Sequence, residues 1–274
     1  SRMPIFQPWL RRWELRPDGP AITRRTAVLL PVVWRRRPAM LKLAHTSEDQ
    51  TGGRVLAWYR GGAAAEVLAI DGPALLMARA PRGDGLVRRS LQDDEGATRI
   101  VCNLVRRLHA VRPLAGPAPR VMPLHRRFRA LLARWGRDRF PRQAAIAEAL
   151  LADPDGAPVL LHGDLHHGNV LAFGPGDWRA IDPKGLWGER WMEFAPMFLN
   201  PDLARPGLEL ATDPDRFAAR LALVTAETGM TEDRLLRWIT AYAALAAMWL
   251  HDEGDLRRAE IATRLSHLAL QRLG

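Results

Sequence analysis

Most of the chemistry-bearing residues in this chain fall in one loop and the strand that follows it. In Val159-Leu160-Leu161-His162-Gly163-Asp164-Leu165-His166-His167-Gly168-Asn169-Val170-Leu171, a polar loop lies between two apolar runs of strand length. Trp178-Arg179-Ala180-Ile181-Asp182-Pro183 then reads as a further short strand ending in an acid. An aspartate is thus followed by an amide five residues on and by a second carboxylate eighteen residues on. That set suits phosphoryl transfer. The reaction needs a carboxylate to orient and deprotonate an attacking hydroxyl, and hard oxygen ligands for magnesium on the nucleotide phosphates. Asp164 suits the base, and Asn169 and Asp182 suit the metal. Two other readings are weaker. A zinc site from His162, His166 and His167 would use the four-residue spacing of one helical face, but Gly163 and Gly168 bracket a loop. A plain turn capped by an aspartate would not account for both flanking strands and all three spacings.

A second signal is a count. Of 40 basic residues only Lys42 and Lys184 are lysine. Where arginine serves for generic positive charge, a surviving lysine marks a position that favours a compact ammonium over a planar fork.

These residues need elements to hold them. Within 21–80, the runs AITRRTAVLLPVV, PAMLKLA, EVLAIDG and PALLMARA read as strands bounded by Gly and Pro clusters. Asp71-Gly72 is a hairpin signal. Residues 47–58 suggest a helix that Gly52-Gly53 weakens. Beyond residue 90 the period becomes helical. Ser90 is the expected cap, with Asp93, Asp94 and Glu95 in the first turn. Further helices are expected near 124–135, 141–152, 215–229, 232–251 and 255–272, with short strands between 158 and 182. The fold class is α+β with two lobes: a small β-rich N-lobe over 1–80 that binds nucleotide, and a larger helical C-lobe over 81–274 that holds the catalytic loop and the acceptor.

His162-Gly163-Asp164 with Asn169, followed by Ile181-Asp182-Pro183, resembles the aminoglycoside phosphotransferases, whose fold is protein-kinase-like. The longer string from His162 to Asn169, with Ala180 to Gly185, is similar to the streptomycin 6-phosphotransferase and hydroxyurea phosphotransferase branch. The resemblance implies ATP and Mg2+ as cofactors, Asp164 as catalytic base, and Asn169 and Asp182 as magnesium ligands. It implies that Lys42 holds nucleotide phosphates and that a carboxylate of the next helix holds Lys42. Glu48 is preferred over Asp49 for that pairing. His162 braces the loop, and Glu193 accepts hydrogen bonds from the loop backbone. Thr23 and Thr26 stand where kinases often carry a Gly-rich phosphate hairpin. Met77 and Ala78 are placed against adenine by position alone. The implied function is an antibiotic resistance kinase that phosphorylates a hydroxyl of a streptomycin-type aminoglycoside. The alternative is a kinase of hydroxyurea or another small hydroxylated metabolite.

For a cationic acceptor, carboxylates and an aromatic face are wanted. Asp252 leads the candidates, with Glu253, Glu189, Asp202, Asn200 and Trp249. Lys184, beside the expected phosphates, is read as a substrate or phosphate contact, the alternative being an exposed charge. The charge pattern agrees. The chain is +10 overall, yet residues 150–274 hold 12 basic and 18 acidic side chains. The rival class, a nucleic-acid-binding protein, would interleave basic and aromatic residues on one face, and no such pattern is present. The single cysteine, Cys102, excludes a disulfide framework. The apolar run Ala241–Leu250 falls well short of the ~20 residues of a bilayer span. A cytoplasmic monomer with a small-molecule partner, and with no nucleic acid or membrane partner, is expected.

Overall fold

The computed structural model describes residues 3–111 and 118–274. Near its start is a helix that the sequence pattern did not announce, α1 (Gln7–Arg12), with Pro8 in its first turn. Strands β1 (Arg16–Pro17), β2 (Ile22–Thr23), β3 (Ala27–Trp34) and β4 (Arg37–Ala44) follow. After α2 (Ser47–Tyr59), β5 (Val67–Asp71) and β6 (Ala74–Ala78) complete an antiparallel six-stranded sheet. Its order is β1-β3-β4-β6-β5, with β2 also on β3. Side chains alternate across a strand. Ala39, Leu41 and Leu43 of β4 therefore bury one sheet face together with Phe6 and Leu10. Met40 and Lys42 are left on the opposite face, toward α2 and the C-terminal part.

The two glycines of α2 do not break it. Thr46 caps the helix, its Oγ1 accepting from the Asp49 N–H at 3.1 Å. A Cβ on Gly52 would stand 2.3 Å from the Pro183 carbonyl oxygen. The residue is glycine because the helix backbone rests directly on the Asp182–Pro183 segment.

The helical part begins with α3 (Gly85–Gln92) and α4 (Asp94–His109). The expected cap at Ser90 is corrected: Asp93 caps α4, accepting from the Gly96 N–H at 2.9 Å. Ser90 is buried inside α3, its hydroxyl donating to the Val87 carbonyl. The chain turns helical earlier than the charge pattern suggested because α3 starts at a glycine packed on the Val170 carbonyl. Then come β7 (Met122–Pro123), α5 (Leu124–Ala130), which runs into a π-helical turn through Trp135, and α6 (Pro141–Ala152). Four short strands follow: β8 (Val159–Leu161), β9 (Val170–Ala172), β10 (Trp178–Ala180) and β11 (Leu186–Gly188). β9 pairs with β10, and β11 lies between β7 and β8. Tight 3-10 turns occupy 190–199 before α7 (Pro214–Thr228), α8 (Glu232–Asp252) and α9 (Leu256–Arg272).

α8 is the axis of this part. Residues 238–248 are buried without a break, which accounts for the apolar run. Among the described residues no helix is long and apolar enough to cross a membrane. Strand β10 also reaches the N-terminal part, since the Ala180 N–H donates to the Ala63 carbonyl at 2.8 Å.

One buried ion pair ties α4 to α7. Arg220, 2% exposed, donates to both Asp94 oxygens, at 2.7 and 3.1 Å, and to the Asn200 carbonyl at 2.7 Å. Removing one partner of a buried pair strands the other charge. Asp94→Ala is expected to cost about 3 kcal/mol in urea unfolding. A loss under about 0.5 kcal/mol, typical of an exposed pair, would contradict this account.

Candidate active site

Chain geometry at the β8 exit fixes the loop. His162 and Gly163 leave the strand with both N–H groups donating to one carboxylate, Glu193, at 2.8 and 2.9 Å. Glu193 is fully buried, so its charge needs compensation. His109 of α4 supplies the third contact at 2.9 Å. Burial would raise the Glu193 carboxyl, but the His109 hydrogen bond and charge, with His162 and the Gly163 N–H, hold it below its ordinary value. Gly163 has φ +90°, and a Cβ there would press on Leu186 at 3.0 Å, so both conformation and space require glycine.

His162 is a brace. Its Nδ1 accepts from the Asp164 N–H at 3.1 Å, which leaves Nε2–H to donate to the Ile181 carbonyl at 2.7 Å. That is the neutral tautomer, and burial pushes the ring's pKa down in agreement. One ring thereby links the Asp164 loop to the residue before Asp182. A backbone bond from Ile181 N–H to the Asn169 carbonyl, 2.9 Å, makes a second link. Asp182 takes a left-handed φ of +52°, which aspartate tolerates better than most residues.

Asn169 donates through Nδ2 to the Asp164 carbonyl at 2.9 Å and to Asp164 Oδ2 at 3.3 Å. Its side-chain oxygen, Oδ1, is the kind of hard donor that magnesium takes. His166 accepts from the Gly168 N–H at 3.0 Å and approaches Asp164 Oδ2 with Nε2 at 3.6 Å. Burial alone would raise the Asp164 carboxyl. The charge and hydrogen bond of His166, then Lys184 and His162, outweigh it and bring the group down to about 2. Asp164 is therefore held as a carboxylate.

A cavity of about 870 Å³ opens between the sheet and this loop. Thr26, Lys42, Met77 and Ala78 line it from the sheet side, and Asp164, Asn169, Asp182 and Lys184 from the loop side. Lys42 Nζ stands 3.4 Å from Asp182 and 3.9 Å from Asp49. Arg24, Arg25, Arg79, Arg205 and Arg258 add positive charge to the walls. A second cavity, about 880 Å³, lies against α4 with Trp178 and Trp191. It offers no lysine, and its one carboxylate, Glu227, is paired with Arg99.

Several sequence-derived assignments change. Glu48 does not pair with Lys42; it binds Arg127 at 2.8 Å, and Asp49 stands beside the lysine. Adjacent helical residues point about 100° apart, and the Thr46 cap sets which one faces β4. Thr23 lies on β2, outside the residues lining the cavity. Glu189 is buried and accepts from Arg234, Trp238 Nε1–H and the Asp155 N–H. Asp202 is buried and accepts from the Leu210 and Ala211 N–H groups, both at 2.9 Å. Asn200 is buried too, donating to the Pro196 carbonyl at 3.0 Å. These three hold backbone and helix ends and have no surface for an acceptor. Asp252 binds Arg134 in two hydrogen bonds, at 2.6 and 3.0 Å, and Glu253 pairs with Arg25. Trp249 lies under the Arg127 guanidinium at 4.1 Å.

The histidine-zinc reading is set aside. Both His162 nitrogens are engaged, and His167 is buried with neither ring nitrogen partnered. Among the described residues no three His, Cys, Asp or Glu side chains converge as a metal cage. A magnesium that rides in on nucleotide phosphates needs only one or two protein oxygens, and Asn169 with Asp182 fits that donor set.

Sequence reasoning missed Tyr242, whose hydroxyl donates to Asp164 Oδ1 at 3.4 Å. The available signal was a polar-tipped ring within an alanine-rich run, in a chain with two tyrosines.

Sheet, helical part and loop together define a phosphotransferase of protein-kinase-like fold. Solved structures share that architecture. A thermostable mutant of aminoglycoside phosphotransferase APH(4)-Ia, in ternary complex with ADP and hygromycin B, superposes with a TM-score of 0.69 at 14% identity, covering 98% of this chain and 99% of that one. An ethanolamine kinase of Plasmodium vivax gives 0.63 at 16% identity, covering 93% and 82%. By sequence the chain belongs to the aminoglycoside/hydroxyurea antibiotic resistance kinases, whose family pattern matches residues 12–254. It is 45% identical to a streptomycin 3''-kinase of Klebsiella pneumoniae over 96% of this chain and 98% of the relative. A hydroxyurea phosphotransferase of Kitasatospora aureofaciens is 32% identical, covering 97% and 78%. A streptomycin 6-kinase of Streptomyces griseus is 26% identical, covering 89% and 81%.

The contact of Gly52 with Pro183 yields a test. Gly52→Ala places a Cβ against backbone that cannot yield, so α2 and the Asp182 segment must separate. The Michaelis constant for nucleotide should rise several-fold. Gly53→Ala, whose Cβ meets only ordinary contacts, should leave it unchanged and stabilise the helix by about 0.5–1 kcal/mol. Equal nucleotide constants in both variants would contradict the close approach.

Proposed function

We propose that this protein transfers the γ-phosphate of ATP to a hydroxyl of streptomycin, at the 3'' position, with magnesium. The observation that carries the substrate is the 45% identity to a streptomycin 3''-kinase across nearly the whole of both chains. The loop geometry supplies the chemistry. Residues 1–80 serve as the nucleotide lobe, with Lys42 and the Thr26 turn at the phosphates and Met77 and Ala78 near adenine. Residues 81–274 carry the catalytic loop and receive the acceptor.

Asp164 accepts a hydrogen bond from the acceptor hydroxyl. The hydroxyl oxygen forms a bond to the γ-phosphorus as the bond to the β–γ bridging oxygen breaks, ADP leaves, and the hydroxyl proton passes to Asp164. A carboxyl held near 2 is a poor proton sink at neutral pH, so Asp164 acts first by orientation and takes the proton late, as a loose transition state allows. Asn169 and Asp182 would hold magnesium, which neutralises phosphate charge when bound with nucleotide. Lys42, between Asp49 and Asp182, adds a compact positive charge at the same place. Lys184 faces the phosphates from the loop side. Asp252 and Glu253 would meet a cationic acceptor by releasing Arg134 and Arg25.

The test is phosphorylation of a panel containing streptomycin, hydroxyurea and a non-streptomycin aminoglycoside, with the product position read by NMR. Streptomycin 3''-phosphate is the expected product, and Asp164→Asn should lower turnover by a factor on the order of 10²–10⁴. Hydroxyurea as the only acceptor would replace the substrate assignment. Undiminished turnover in Asp164→Asn would remove the base.

A further inference from the structure

The Asp164 carboxylate has two oxygens with unequal surroundings. Asn169 and His166 both approach Oδ2, at 3.3 and 3.6 Å. Among the described residues Oδ1 receives one protein donor, the Tyr242 hydroxyl. A carboxylate offers about four lone-pair directions. Asn169 donates to Oδ2 and the His166 ring stands 3.6 Å from it, so the less crowded oxygen for an acceptor hydroxyl is Oδ1, beside the phenol.

Tyr242 is well placed to set that direction. It projects from the middle of α8, between Ala241 and Ala243, both fully buried. Ser266 Oγ donates to the Thr240 carbonyl at 2.8 Å, fastening this turn of α8 to α9. Burial, then the charge of Asp164, raises the phenol well above its ordinary pKa, so the hydroxyl stays protonated and can only donate to the carboxylate. Loop residues secure one oxygen of Asp164, while a helix from outside the loop secures the other.

We infer that Tyr242 is a positioning residue for phosphoryl transfer: its hydroxyl fixes the rotation of the Asp164 carboxylate and thereby selects the oxygen that receives the acceptor hydroxyl. The inference rests on the reading of Asp164 as base. A one-atom change tests it. Tyr242→Phe keeps the ring in its buried seat and removes the donor. With ATP and streptomycin, kcat should fall roughly five- to tenfold, the effect of one modest hydrogen bond. The dissociation constant for ATP and the thermal midpoint should stay at wild-type values. Tyr242→Leu, which removes the ring as well, should lower the thermal midpoint in addition to kcat. If Tyr242→Phe retains wild-type kcat while Asp164→Asn is impaired, Tyr242 is packing alone and the inference falls, with the base assignment intact. If Tyr242→Phe weakens ATP binding in step with kcat, its role is general support and the inference also falls. If Asp164→Asn itself retains full turnover, the base assignment fails independently of either tyrosine variant.

Discussion

The site depends on one buried carboxylate. Glu193 accepts from two successive backbone N–H groups, those of His162 and Gly163, and from His109. Its side chain has no exposed surface, so these donors replace bulk hydration, and a fully buried charge tolerates little rearrangement of its partners. That intolerance makes the loop rigid. The direction in which the chain leaves β8 is set, Gly163 takes the left-handed turn, and Asp164 emerges with its N–H on His162. The candidate site residues of the loop are referenced to this point. Because His109 belongs to α4 and Glu193 to the 3-10 turns after β11, the point is also where the helical core meets the loop.

From there the constraint passes outward through hydrogen bonds. His162 reaches the Ile181 carbonyl, and the Asn169 carbonyl takes the Ile181 N–H, so Asp182 is tied to the loop from two sides. Gly52 lets α2 rest on Pro183, which brings Asp49 and Lys42 to Asp182. The N-terminal sheet and the Asp164 loop are registered through backbone contact as well as through side chains. Phosphoryl transfer relies on positioning and charge stabilisation, and a chain of short backbone-anchored contacts provides the former.

What the sequence revealed follows from distance along the chain. Asp164, Asn169 and Asp182 lie on one short stretch, so their types and spacing were legible together, and Lys42 stood out against a background of arginine. The choice between Glu48 and Asp49 turned on helical phase, which the Thr46 cap decides and composition does not. The acidic C-terminal half suggested a field for a cation, and much of that charge is engaged within the protein. Glu189 and Asp202 are spent on buried backbone N–H groups and an arginine, and Asp252 and Glu253 on Arg134 and Arg25. A count of charges does not distinguish a carboxylate facing solvent from one that satisfies a helix end. Tyr242 was hidden for the converse reason: it sits in an apolar run whose helix is buried all round, and only the packing of α8 on the loop shows its hydroxyl at Asp164.

The most direct measurement is a single-turnover experiment that follows labelled γ-phosphate from ATP to streptomycin in the presence of magnesium, for the wild type and for Asp182→Asn. One phosphate transferred per enzyme is predicted in the wild type and almost none in the variant, in which a carboxylate lining the cavity is neutral. Equal transfer by the two proteins would contradict it, because the loop-and-strand constellation would then not be the centre of the reaction.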